Sequence, residues 1–238
     1  MREAPLEVAE LILSRRAVVF DCDGTLVSQA IDYKAVRETV AELLKKHGVP
    51  GVLISPSDGV MMMLRRSVEY LSAKGAPVDQ VVSEVDRVVE AFELRAASKT
   101  NPMPGAIELL AFLKERGFKL GLFTLNKRPA MMLVARRFNF DRFMDAMVSR
   151  DDTPAPKPDP RHLVAVLSKL SVEAQEAVVV GDHPVDVECA VKVGAAAIGV
   201  LSSGRSRKEL EDAGAWVVVD SVASILEALM DASGPSRA

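Results

Sequence analysis

Two rhythms of apolar residues run along this chain. The runs at 18–20, 120–123, 146–148, 177–180, 196–200 and 216–219 are short, unbroken and mostly rich in valine, as strands buried on both faces are. Between them apolar residues recur at intervals of three and four. Ile107, Leu109, Leu110 and Leu113 predict one helix, residues 129–138 a second, and Leu163, Val166, Leu167 and Leu170 a third. Two more are expected before Val193-Gly194 and over residues 222–230, and Leu6, Ala9, Leu11, Ile12 and Leu13 predict a leading helix. Strands alternating with helices pair in parallel through right-handed crossovers, which places helices on both faces of the sheet. The expected fold class is α/β, a doubly wound parallel sheet.

Residues 28–102 break this alternation. Val36, Val40, Leu43 and Leu44 form one helical stripe, closing at His47-Gly48 with lysines in its last turn. Val60, Met63, Leu64, Val68 and Leu71 form a second. Val78, Val81, Val82, Val85, Val88, Val89 and Phe92 form a third, with charges between them. No strand signal interrupts the block, and the run Met61-Met62-Met63 is expected to fill its core. A breaker cluster at 101–105 restores the earlier rhythm. The organisation predicted is an α/β core of residues 1–27 and 103–238, interrupted by a helical domain of residues 28–102.

Composition narrows the function classes. With 238 residues, 49% hydrophobic and 26% charged, the chain can bury a full core and still carry a large insertion. A formal net charge of −3 offers no basic field for nucleic acid. No apolar run is long enough to span a bilayer, and residues 1–10 lack the apolar centre of a signal peptide. Cys22 and Cys189 define neither a disulfide framework nor a zinc pattern, which points to the cytoplasm. The Ser-, Gly- and Pro-containing stretch 231–238 is expected to be frayed.

The candidate chemistry lies where the apolar runs stop. The first ends in Asp21-Cys22-Asp23-Gly24-Thr25, two carboxylates one residue apart that repel each other unless a cation sits beside them. A calcium loop starting at Asp21 would need glycine at its sixth place and glutamate at its twelfth, where Leu26 and Asp32 stand. The second run ends in Thr124-Leu125-Asn126-Lys127, and the fourth in Gly181-Asp182-His183-Pro184-Val185-Asp186. Lys157 stands in the loop Ala155-Pro156-Lys157-Pro158-Asp159-Pro160, stiffened by its prolines. Parallel strands would gather all of these at one rim, where open α/β sheets bind ligands. Carboxylate oxygens with water suit Mg²⁺, whereas a lysine, a hydroxyl and loop amides suit a phosphoryl group. Together they meet the needs of phosphoryl transfer.

Asp21-x-Asp23-Gly24-Thr25, Thr124, Lys157-Pro158 and Gly181-Asp182-x-x-x-Asp186 resemble the four ordered motifs of the haloacid dehalogenase-like hydrolase superfamily, over nearly the whole chain. Pro104-Gly105, Lys157-Pro158-Asp159-Pro160 and Asp186-x-x-x-Ala190-x-x-x-Gly194 are similar to its phosphoglycolate phosphatase-like branch. The resemblance implies a Rossmann-like core with an inserted helical cap that acts as a lid. It implies Asp21 as the nucleophile forming an aspartyl-phosphate, and Asp23 as general acid and then base. Mg²⁺ would be held by Asp21, the backbone carbonyl of Asp23 and Asp182, with Asp186 nearby. Thr124 would bind phosphoryl oxygens with amides of the Asp23-Gly24 turn and of Leu125, and Lys157 would neutralise charge. Leu125 departs from the pattern, since many relatives have asparagine directly after the hydroxyl residue.

The partner so implied is a small phosphorylated metabolite, neither nucleic acid nor membrane, with phosphoglycolate first among the substrates. Asp23 sets the chain apart from dehalogenases and phosphonate-cleaving relatives. A mutase of the β-phosphoglucomutase kind keeps that acid and is the alternative enzyme; an inactive binding or regulatory protein of the same fold is the alternative of another class. Cys22 is expected in the core, and His183 in a packing or supporting role, since Mg²⁺ prefers oxygen. His162 is expected on a helix surface and His47 at a helix end.

Overall fold

The computed structural model describes residues 3–234. Among them six strands form one parallel sheet: β1 (Ala17–Phe20), β2 (Lys119–Phe123), β3 (Ala146–Val148), β4 (Ala177–Gly181), β5 (Ala196–Val200) and β6 (Val217–Val219). Their order is β3-β2-β1-β4-β5-β6. The winding reverses between β1 and β4, which pair in register with Phe20 opposite Val180. Such a reversal opens a crevice at the carboxyl ends of the two central strands. Every residue of β1 and β4 is buried, which is why neither strand alternates apolar with polar.

Helices cover both faces. Ala17, Val19, Ala177, Val179 and Ala197 pack under α7 (Arg161–Leu170), α8 (Pro184–Val193) and α9 (Arg207–Asp212), with Leu163, Val166, Leu170, Val187 and Leu210 filling the layer. The alternate strand residues, Val18, Phe20, Val178 and Val180, are buried on the opposite side. That side carries α1 (Glu3–Leu13), α5 (Ala106–Glu115) and α10 (Val222–Ala232), with α10 packed against both α1 and α5. Helix α6 (Arg128–Arg137) connects β2 to β3, with Pro129 in its first turn. The sequence pattern gave no sign of α9, although Ser206 and Glu209 form a capping box at its start. Asp231 and Ala232 are helical rather than frayed, and residues 235–238 of that expectation lie outside the described ones.

Tertiary contacts divide the chain into two compact units, residues up to Gln29 with those from Thr100 onward, and Ala30–Lys99. In the first unit the two linking segments are tied together. Val27 bridges Pro102, Ser28 N donates to Asn101 O at 2.8 Å, and the Thr100 hydroxyl donates to the Ser28 carbonyl. The second unit contains α2 (Tyr33–Lys46), α3 (Val60–Ala73) and α4 (Val78–Lys99). Its core comprises Val36, Val40, Leu44, Met63, Leu71, Val81 and Val85, and Asp32 caps α2 by accepting from Ala35 N. His47 ends α2, as its position before Gly48 implied. The methionine run corrects one expectation. Met63 is buried, but Met61 and Met62 are 73% and 51% exposed. Successive helical residues turn by about 100° each, so three in a row cannot share one face.

Candidate active site

The first strand exit is shaped by hydrogen bonds to a single carbonyl. Cys22 O accepts from the amides of Leu26 (2.9 Å) and Val27 (3.0 Å), which folds the chain back directly after Asp21. Gly24 sits at the bend with φ +90°. A Cβ there would lie 2.4 Å from Asp182 Oδ2, so both the backbone conformation and the close approach of β4's exit require glycine. Thr25 is fully buried and its hydroxyl donates to Asp182 Oδ1 at 3.0 Å. The motif's threonine thus holds a carboxylate from the neighbouring strand.

At the β4 exit, Gly181 plays a matching part: a Cβ on it would fall 2.5 Å from the Cβ of Asp186. His183 caps α8 with Nδ1, accepting from Val185 N at 3.2 Å, and its own N–H donates to Asp186 Oδ2 at 3.1 Å. It therefore orients Asp186 and starts the helix, in line with a supporting role. Two serines beyond β5 complete the floor. The Ser202 hydroxyl donates to Gly24 O, and the Ser203 hydroxyl to Asp182 O at 3.4 Å.

Lys157 unites the two exits. Its Nζ donates to Asp21 Oδ1 at 2.6 Å and to Asp186 Oδ1 at 2.7 Å, and lies 3.3 Å from Phe123 O. It also stands 4.1 Å from the centroid of the Phe123 ring. Burial alone would discharge this ammonium. Asp186 and Asp21 outweigh that effect and raise its pKa, so it stays charged.

Asp182 completes the cluster: one carboxylate oxygen from each of Asp21, Asp182 and Asp186 lies within 4.8 Å of the others. Three buried carboxylates thus face one lysine. Burial, then the charges of Asp21 and Asp186, push Asp182 up to about 7 despite its bonds from Ser203 and Thr25. Burial raises Asp186 as well, against the pull of Lys157. A further positive charge would relieve this excess, and hard oxygen donors so close together fit a divalent cation.

The other expected residues lie beside this cluster. Thr124 directly follows β2, is 2% exposed, and its Oγ1 accepts from Asn126 N at 3.1 Å. Asn126 Nδ2 in turn donates to Asp23 Oδ2 at 2.6 Å. The sequence carried no role for Asn126; the inserted Leu125 shifts it by one place, and only the fold brings it to Asp23. The Leu125 side chain is 40% exposed. Cys22 is buried, and burial with the charges of Asp23 and Asp21 raises its thiol pKa, which leaves it inert. His162 overturns an expectation, being wholly buried rather than on a helix surface. Its partners are the Lys157 amide and the Val148 carbonyl, which lie on the inner side of α7's first turn.

Known proteins resemble this chain in sequence and fold. The family model for haloacid dehalogenase-like hydrolases matches residues 18–200. The chain is 29% identical over 223 residues to a phosphoglycolate phosphatase of Caulobacter vibrioides, covering 91% of each. It is 32% identical over 216 residues to a phosphoglycolate phosphatase of Rhodospirillum rubrum, covering 88% of this chain and 89% of that one. A solved structure of a hydrolase from Pseudomonas syringae superposes with a TM-score of 0.67 at 25% identity, over 91% of this chain and 99% of that one. Since the matched segment runs from β1 through β5 and contains each carboxylate and the lysine of the rim, the chain belongs to the haloacid dehalogenase-like hydrolases and is a phosphatase.

Proposed function

We propose that this phosphatase hydrolyses a small phosphorylated metabolite of the phosphoglycolate class, with Mg²⁺, through an aspartyl-phosphate on Asp21. The observation that carries the reading is the Lys157 ammonium held between Asp21 and Asp186, with Asp182 alongside. An isolated carboxylate would repel a phosphate dianion; one paired to a buried ammonium can approach it. The donor set suits Mg²⁺, with Asp21, the Asp23 backbone carbonyl and Asp182 as holders and Asp186 beside them. Bound there, the ion would supply positive charge toward the phosphoryl oxygens.

The chain's own groups account for the rest. The Thr124 hydroxyl, Lys157 and amides of the Asp23-Gly24 turn and Leu125 bind the phosphoryl oxygens. An Asp21 carboxylate oxygen attacks phosphorus and forms an O–P bond as the bond to the leaving oxygen breaks. The Asp23 carboxyl gives its proton to that oxygen, and the alcohol departs. Asp23, now ionised, takes a proton from a water whose oxygen attacks phosphorus. The Asp21–phosphorus bond breaks, inorganic phosphate leaves, and Asp23 is again protonated. The Asn126 amide on Asp23 Oδ2 sets the plane of that carboxyl throughout. The buried free thiols of Cys22 and Cys189 accord with work in a reducing cytoplasm.

The test is phosphate release by chelated protein from phosphoglycolate, sugar phosphates and an aryl phosphate, with Mg²⁺ or Ca²⁺ restored separately. Turnover should require Mg²⁺, fail with Ca²⁺, and give the highest kcat/KM for a phosphoglycolate-like substrate. Undiminished activity with chelator, or no release from any phosphate, would refute the proposal. Release that depends on a sugar bisphosphate would favour the mutase.

A further inference from the structure

His162 has no part in the chemistry above, yet it is a fully buried polar residue beside the residue that unites the site. Its Nδ1 lies 3.1 Å from the backbone N of Lys157, and its Nε2 lies 3.3 Å from the carbonyl O of Val148 at the end of β3. An amide N–H can only donate and a carbonyl can only accept. Both bonds are therefore satisfied together by one form alone, the neutral ring with its proton on Nε2. The same ring packs in a T-shaped arrangement with Phe123, with centroids 5.6 Å apart at 70°, and Lys157 Nζ lies over that phenyl ring.

The loop sequence explains why a side chain has this task. In Pro154-Ala155-Pro156-Lys157-Pro158-Asp159-Pro160 every second residue lacks an N–H, so no regular ladder can hold the segment. The three amides that remain find separate acceptors. Ala155 N donates to the Thr153 hydroxyl oxygen at 3.2 Å, Asp159 N to Pro156 O at 3.1 Å, and Lys157 N to His162. An apolar ring at 162 could fill the space but would leave a buried donor without an acceptor.

We propose that His162 is a positioning residue for Lys157: its neutral ring clamps the lysine's backbone to the end of β3, and so sets where Nζ falls between Asp21 and Asp186. The functional part of this inference rests on the reading of Lys157 as the phosphatase's charge-neutralising group. His162 touches neither substrate nor reacting atoms, and its influence passes through the lysine.

Three variants separate clamping from space filling. In His162→Asn the Oδ1 stands where Nδ1 stood and can accept from Lys157 N. The His162→Gln amide reaches the Nε2 position instead, and His162→Phe keeps the ring without polar atoms. The first readout is hydrogen exchange at the Lys157 amide, with Ala155 and Asp159 as references within the same loop. Exchange at Lys157 alone should quicken by about 10-fold or more in the Phe and Gln variants, from loss of a bond worth roughly 1.5 kcal/mol, and remain slow with Asn. The second is kcat on an aryl phosphate, which should fall by about 10²-fold with Phe or Gln, as a misplacement near 1 Å would cause, and recover at least about tenfold with Asn.

Combining His162→Phe with Lys157→Met should cost no more than Lys157→Met alone. Equal Lys157 exchange in all four proteins, or equal activity of the Asn and Phe variants, would overturn the inference. If the Phe variant does not fold, the Asn–Gln contrast decides it. If the unmutated protein releases phosphate from no ester, the functional reading fails, while the exchange measurement still decides the clamp.

Discussion

Acid should weaken this protein through His162, by an amount the site geometry allows to be worked out. Burial first, then the charge of Lys157, lower its pKa from 6.5 to about 4, against smaller opposing contributions from Val148 O, Asp21 and Asp152. In the unfolded chain the imidazole takes a proton near 6.5, whereas in the fold it resists until about 4. Within that window the unfolded state binds more protons, so stability falls as pH falls. Above the window both states are neutral and nothing is lost. Each pH unit inside it costs ~1.4 kcal/mol, so acidification from about pH 7 to about 4.5 removes about 2.5 kcal/mol.

Asp182 works the other way, since its raised pKa lets the fold bind a proton first. A comparison of two proteins that share Asp182 cancels this. Urea unfolding of chelated wild-type and His162→Asn protein at both pH values gives four free energies. Wild type should lose about 2.5 kcal/mol more than the variant, whose amide does not titrate. Losses equal within about 0.5 kcal/mol would show that His162 is not held neutral by the fold, and would remove the tautomer on which its clamp depends.

Three further outcomes are expected. Asp21→Asn should abolish phosphate release yet leave a folded protein by circular dichroism, because the amide is nearly isosteric and a very poor nucleophile; turnover near the wild-type rate would exclude Asp21 as nucleophile. Asp23→Asn should slow single turnover of an alkyl phosphate by about 10²–10⁴-fold and that of an aryl phosphate much less, with Mg²⁺ affinity nearly kept; equal losses on both with weakened metal binding would make Asp23 a side-chain ligand instead. Gly24→Ala combines φ +90° with a Cβ 2.4 Å from Asp182 Oδ2, so thermal unfolding should occur earlier and Mg²⁺ titration should show weaker binding; unchanged values for both would mean the turn can shift without disturbing Asp182.

Much of the fold was legible because its central strands are buried on both faces. A strand such as β1 must then be apolar throughout, and the point where Val18-Val19-Phe20 yields to Asp21 marks its end to the residue. Parallel winding carries all such ends to one rim, so Asp21, Thr124, Lys157, Asp182 and Asp186 could be assembled before any contact was known. The helical unit was equally plain from its stripes, except where Met61 and Met62 copied the composition of a core without its angular position.

Pairings between distant segments were decided only in three dimensions. Whether Asn126 reaches Asp23, or Thr25 reaches Asp182, depends on the register between strands and the shape of two turns, neither of which has a local pattern in the chain. His162 shows the limit most clearly. Its place in the first turn of an amphipathic helix suggested solvent, but the proline-laced loop before it left one amide without a partner, and packing turned the imidazole inward to meet it. Apolar periodicity reports which face of an element is buried. The sequence alone determined that; which buried polar group answers which was settled by tertiary packing, because an unpaired donor in the interior carries a cost that only a neighbour in space can remove.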